Sequence, residues 1–215
     1  MTPMTTVHDA FSQVKVLLAS DPAEALRTAL AIKLPSARGY ALAWIIRWGN
    51  DGIAVQAIKH AEITARTCGD AFCKAIALAD PIRAAFERGK HKQARRMLDE
   101  ALSRLPAMPT SSEQAEALRL LFIAAFPGGR ESWSLLVGHL IDRCPAHLHW
   151  RAARAHLRVL RALKDEDRAL AEKLVSAMTP GKIERRARRT LNGQRTSGSP
   201  AAVVLARSIR SKEEL

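Results

Sequence analysis

Arg151, Arg154, Arg158 and Arg161 recur at spacings of three, four and three residues within HWRAARAHLRVLRAL (149–163), with no acid among them. On a helix such positions share one face, so the spacing predicts a row of guanidinium forks. A fork grips two oxygens of a carboxylate or phosphate at once, which an ammonium does not. Trp150, Ala153, Leu157 and Leu160 form a parallel apolar stripe, one residue or about 100° round the axis. Two arrangements satisfy this pattern. In one, the arginines form a flank, their stems over apolar neighbours and their heads in water, or paired with acids such as Asp142, Asp165, Glu166 or Asp167. In the other, they line a groove and hold an anionic partner.

A second basic cluster, KIERRARRTLNGQR, sets Lys182, Arg185, Arg186, Arg188 and Arg189 around the acid Glu184. Ile183, Ala187 and Leu191 are its apolar remnant. This suits either the polar outer surface of a terminal helix or contact with nucleic acid or an acidic protein; cations near a helix C-terminus are favoured in any case. Tyr40, Trp44 and Trp48 form an aromatic row at four-residue spacing, with Arg47 beside them. Such a row packs into a core or lines an aromatic groove that receives a peptide or a base.

His139, Cys144, His147, His149 and His156 fall within eighteen residues. A structural zinc site needs four ligands in fixed geometry, and this spacing supplies no such set. The imidazoles read as polar caps at a helix corner, with no metal expected. The sequence holds no nucleophile–base pair, Gly-rich phosphate loop or H-E-x-x-H motif. No catalytic residue and no cofactor are expected, and Gly128-Gly129-Arg130 reads as a turn.

The elements that carry these residues follow from composition and periodicity. The chain has 215 residues, 47% hydrophobic but only 5% aromatic. Alanine and leucine carry the apolar content, which favours helix packing over sheet. Helical periodicity runs through almost every segment, and no stretch alternates as a strand does. Turn and cap residues fall at Asp21-Pro22, Pro35, Gly49–Gly52, Cys68–Asp70, Gly89-Lys90, Pro106–Pro109, Pro127–Gly129, Cys144-Pro145 and Thr179–Gly181. Asp80-Pro81 restarts or kinks a helix, and Ser111 with Gln114 opens another. After a lead helix at 6–19, the helices pair as 22–34 with 36–49, 53–67 with 70–88, 91–105 with 112–126, 131–144 with 146–163, and 166–178 with 180–192.

In the second helix of each pair, Ala41-Leu42, Ala75-Ile76, Ala117-Leu118, Ala152-Ala153 and Arg186-Ala187 recur after 34, 42, 35 and 34 residues. A helix–turn–helix period near 34 is the tetratricopeptide period. Over residues 22–192 the chain resembles a degenerate tetratricopeptide-like αα-repeat protein. The 42-residue step is similar to HEAT-type repeats. The expected fold is therefore all-α: an αα-hairpin repeat solenoid of about five helix pairs, either a right-handed superhelical array or a compact helical bundle. Residues 1–192 form the expected repeat domain. Residues 193–215, beginning GQRTSGSP, form a basic linker and a short helix able to dock on the last repeat or on a second copy.

The charge is +13. Sixteen basic and seven acidic residues lie between Trp150 and Leu215, so a polyanion or acidic partner is favoured there. An odd cysteine count, no signal-peptide pattern and no apolar run of the ~20 residues a membrane span needs point to a cytoplasmic protein without a membrane partner. The repeat resemblance implies a scaffold that binds a protein or peptide. The alternative is a nucleic-acid binder. All-helical HEAT-type DNA glycosylases are similar in size, charge and helix pairing, and imply a basic concave face cradling DNA; no motif here aligns with their catalytic residues.

Overall fold

Capping side chains open several of the helices in this chain, and most of those caps are visible as sequence signals. The computed structural model describes residues 7–193, and every regular element among them is helical. The elements are α1 (Val7–Ser20), α2 (Pro22–Ala31), α3 (Pro35–Trp48), α4 (Asp51–Arg66), α5 (Ala71–Glu87), α6 (His91–Leu102), α7 (Ser111–Ala125), α8 (Arg130–Arg143), α9 (Trp150–Glu166), α10 (Arg168–Ser176) and α11 (Lys182–Leu191). Short 3-10 turns follow α6 at Leu105–Ala107 and α7 at Phe126–Gly128. The expected linker and short helix of 193–215 lie outside the described residues beyond Gly193.

Asp21 accepts from the Glu24 amide at 2.9 Å with Pro22 at the first helical position. Asn50 and Asp70 accept from the Ile53 and Cys73 amides at 3.0 and 2.6 Å. Asp167 accepts from the Leu170 amide at 3.0 Å. Each satisfies a donor that the first helical turn would otherwise leave open. Most starts fall within two residues of expectation, and two differ in cap or position. Thr110 rather than Ser111 caps α7, accepting from the Glu113 amide at 3.2 Å. The chain after Cys144-Pro145 stays irregular through His149, so α9 begins at Trp150 and not at 146. There the Arg151 amide donates to His149 Nδ1 at 3.1 Å, a cap by imidazole.

Residue contacts divide the chain into two units, Met1–Val159 and Leu160–Leu215, with the division inside α9. In the first unit α5 is the hub. It packs against α3, α4, α6 and α7, while α1 packs on α2 and α8 on α7. Alanines 75, 77, 79, 84 and 85 let the neighbouring helices come close, and Leu78, Ile82 and Phe86 fill the space between them. Phe122, Phe126 and Trp133 form a second aromatic core, with ring centroids 5.5–5.9 Å apart. In the second unit α10 packs on α11. Arg168 ties that pair together, donating to the Leu191 carbonyl and, at 3.3 Å, to Asn192 Oδ1.

Pro81 lies inside α5 and does not restart it. Its ring removes the amide that would bond the Ala77 carbonyl four residues back. Gly39 of α3 sits against that carbonyl: a Cβ placed there would lie 2.2 Å from the Ala77 oxygen. The helix continues through the proline, and α3 packs closely on the buried turn that precedes it.

Candidate anion-binding face

Ala152, Ala155, His156, Val159, Leu160 and Leu163 are the buried line of α9. At 100° per residue the arginines stand roughly 160° from the centre of that line. This corrects the expected packing stripe. Ala153 and Leu160 are buried as expected, but Trp150 is 61% exposed and Leu157 only half-buried. The seam is built on small residues, which permit close approach, and Trp150 is the first helical residue, at the open end of that seam. The arginines therefore lie on the far side of the helix from its packing.

Arg151 and Arg154 are exposed, and Arg158 and Arg161 half-buried. The Arg151 guanidinium lies 5.5 Å over the Trp150 ring, a cation–π contact. On α7, Arg119 holds Glu116 with both nitrogens, at 2.6 and 3.0 Å. That hydrogen bond is the main reason the Glu116 carboxyl sits below its ordinary range. Burial opposes it, and the charges of Arg119, Arg154 and Arg151 add to it. One carboxylate thus answers three guanidiniums, and its own oxygens are already committed to Arg119. Of the acids expected to pair with the row, Asp165 lies 3.5 Å from Lys164 and Asp167 caps α10.

The aromatic row is also on an open side. Tyr40 is 47% and Trp48 56% exposed, and Trp44 is half-buried. Phe11 of α1 joins them, 4.6 Å from Tyr40 and 5.8 Å from Trp44. The Lys15 ammonium lies within 4.5 Å of both the Phe11 and Trp44 ring centroids. Phe11 and Lys15 were not anticipated, because helix-to-helix contacts carry no sequence period. Next to this row the charges are balanced: Glu87 of α5 meets Arg47 at 2.5 Å and Arg83 at 2.8 Å. Asp80, two turns before Glu87, keeps solvent contact, yet burial raises its carboxyl above the ordinary range, against the pull of Arg47 and Arg83.

In the second unit, Ala187 and Leu191 bury the inner line of α11. Lys182, Arg185, Arg186 and Arg189 are exposed on the other side. Arg188 turns back to an ion pair with Glu184, so of the three expected here, Arg185 and Arg189 project and Arg188 is engaged within the helix.

The histidines separate. His149 caps α9. His156 is buried in the packing line, its Nδ1–H donating to the Ala152 carbonyl at 2.9 Å. Among the described residues no cluster of three or more His, Cys, Asp or Glu could hold a metal ion. Burial lowers the His156 pKa below the ordinary 6.5, the hydrogen bond to Ala152 only partly offsetting it. The unfolded chain therefore binds a proton that the folded chain refuses, and stability falls as pH drops through and below that value. His139 is lowered by burial and Arg143, and adds the same sign. Urea midpoints measured at about pH 7.5 and about pH 5.5 should drop more for the wild type than for His156→Gln. Equal drops would show that His156 is not the linked group.

No protein-family model, curated protein or solved structure matches this chain. Among the described residues, no helix is long and apolar enough to cross a membrane.

Proposed function

We propose that this protein is a non-enzymatic helical-repeat scaffold that binds an acidic protein or peptide partner through the arginine side of α9. One observation supports this most. Arg151, Arg154 and Arg158 stand opposite the buried line of their helix, and the carboxylate nearest in charge, Glu116, is held by Arg119. Guanidiniums placed this way keep their paired donors for an outside carboxylate. The exposed cations of α11 add a second basic surface of the same sign.

A second reading, a nucleic-acid partner, is favoured by Trp150. An exposed indole at the head of an arginine row offers a base a stacking surface beside phosphate-binding groups. Fluorescence anisotropy with a labelled oligoglutamate and with labelled single- and double-stranded oligonucleotides separates the two. The scaffold reading expects binding to the acidic peptide at ~150 mM salt, since partly desolvated pairs are screened less than surface ones. Binding to oligonucleotides alone transfers the face to nucleic acid. No binding to any of the probes at ~50 mM salt removes both readings.

A further inference from the structure

We propose that Phe11, Tyr40 and Trp44 form an aromatic cage for an N-trimethylated lysine side chain of a partner protein, and that Lys15 fills this cage until the partner arrives. The inference does not rest on what the arginine face of α9 binds.

Two helices build the cage. Phe11 lies on α1, and Tyr40 and Trp44 lie one turn apart on α3. The Phe11 and Trp44 rings stand at 84° to each other with centroids 5.8 Å apart, so they make two walls of a corner. Tyr40, 4.6 Å from Phe11, extends the wall into solvent. The Lys15 ammonium occupies the corner, 4.5 Å from the Phe11 centroid and 4.4 Å from that of Trp44. Lys15 is exposed and makes no ion pair among the described residues, so the rings are what its ammonium meets there. The molecule thereby shows which chemistry the corner accepts: a cation at the end of a lysine stem.

The spacing selects the form of that cation. Carbon packs on carbon best at about 3.5–4.0 Å. In a trimethylammonium the methyl groups touch the ring, and the nitrogen stands back behind them. A nitrogen 4.4–4.5 Å from both centroids leaves that depth at each wall. A bare ammonium does not fill it, and gives up strong hydration to sit there. A trimethylammonium fills it, spreads the same charge over its methyl groups and holds water weakly; quaternary ammonium groups are what aromatic cages recognise. The exchange keeps one positive charge on the rings, and Lys15 returns to solvent. The surface beyond the corner favours a side chain over a small free cation. The exposed Trp48 ring continues the row, 5.9 Å from Trp44. With Arg47, Glu87 and Arg88 it lines an open cavity of about 420 Å³. Residues flanking a methylated lysine can lie there, whereas a choline-sized ion would leave it empty.

The probe is a short peptide, capped at both ends, with one lysine and no acid, so that the arginines have nothing to hold. It is made unmethylated, trimethylated, and in a neutral form with carbon in place of the trimethylated nitrogen. Titration into the full-length protein is followed by the indole N–H resonances. The trimethylated peptide should bind and shift Trp44 and Trp48, and the other two forms should bind at least about two- to fivefold more weakly. Lys15→Ala, at an exposed position, should tighten binding about two- to fivefold, because no internal cation competes. Trp44→Phe keeps a ring in place and should weaken binding. Arg154→Ala with Arg158→Ala should leave it unchanged. The proposal is overturned if no form binds, if the neutral form binds as tightly as the trimethylated one, if Lys15→Ala fails to tighten binding, or if free choline binds as tightly as the peptide, which would give the cage to a small cation.

Discussion

Gly39→Ala should lower the unfolding free energy by about 3 kcal/mol or more, the upper end of what overpacking costs. The reason is local and backbone-bound. The added Cβ would lie 2.2 Å from the Ala77 oxygen and 3.1 and 3.2 Å from its carbonyl carbon and Cα. A flexible side chain could swing aside; a carbonyl in mid-helix cannot unless α3 and α5 separate. That separation would open the principal interface of the hub helix. Pro81 makes the contact possible by leaving the Ala77 carbonyl without its intrahelical donor, and so the two positions are coupled. Pro81→Ala restores the donor and lets the carbonyl draw in. The cost of Gly39→Ala should then be smaller in the Pro81→Ala background than alone, a non-additivity that a double-mutant cycle reads directly. Gly138, inside α8, is the contrasting case. Nothing lies within 4 Å of its Cβ position, so Gly138→Ala should stabilise by about 0.5–1 kcal/mol through helix propensity. Urea unfolding followed by circular dichroism measures all four variants. A Gly39→Ala protein within about 0.5 kcal/mol of wild type would show that α3 and α5 are not packed as described.

The same pair of residues shows what the sequence could and could not tell. Asp21, Asn50 and Asp70 are legible as caps because capping is local chemistry: a short acceptor meets an amide three residues on. The all-helical class is legible from periodicity and from the scarcity of branched and aromatic residues. Pro81 is different. By local rules it interrupts a helix, and its contact with a glycine 42 positions earlier in the chain is not visible in the local sequence. Thr110 and Ser111 illustrate a finer ambiguity: adjacent hydroxyls are both able to cap, and Thr110 is the one that does.

On α9 the spacing of the arginines was legible, but the helix's inward direction was not. Trp150 looks like the natural anchor and alanine looks neutral. In the fold the alanines mark the inward side, because small residues let helices approach, and His156 joins them once its proton bonds to Ala152. The signal was present as Ala152, His156, Val159 and Leu163, a four-three-four spacing as regular as that of the arginines. Choosing between two such stripes needs the neighbouring helices. Glu116 and Arg119 were missed for the same reason: their link to the row runs between helices far apart in sequence.

Arg154→Ala with Arg158→Ala should weaken binding to an anionic partner about 100-fold. Each charge-assisted hydrogen bond contributes roughly 1.5–3 kcal/mol, and about 1.4 kcal/mol is tenfold in affinity. Arg154 is exposed and Arg158 half-buried, and alanine favours helix at both, so the thermal midpoint should hold and the loss should be one of contacts. With a single-stranded oligonucleotide as probe, removing two phosphate contacts should also flatten the salt dependence by about 1.4 in slope. Arg119→Ala tests the face by a different route. It removes no arginine from α9, but frees the Glu116 carboxylate, whose pKa already responds to Arg154 and Arg151. Released from Arg119, Glu116 competes with the ligand for those guanidiniums, so affinity should fall although the row is intact. Glu116→Gln in that background should recover it. Arg185→Ala with Arg189→Ala examines α11 separately. If that pair flattens the salt slope while Arg154→Ala with Arg158→Ala leaves it unchanged, the anionic partner is held by the second unit, and the arginines of α9 serve only as a solvated flank.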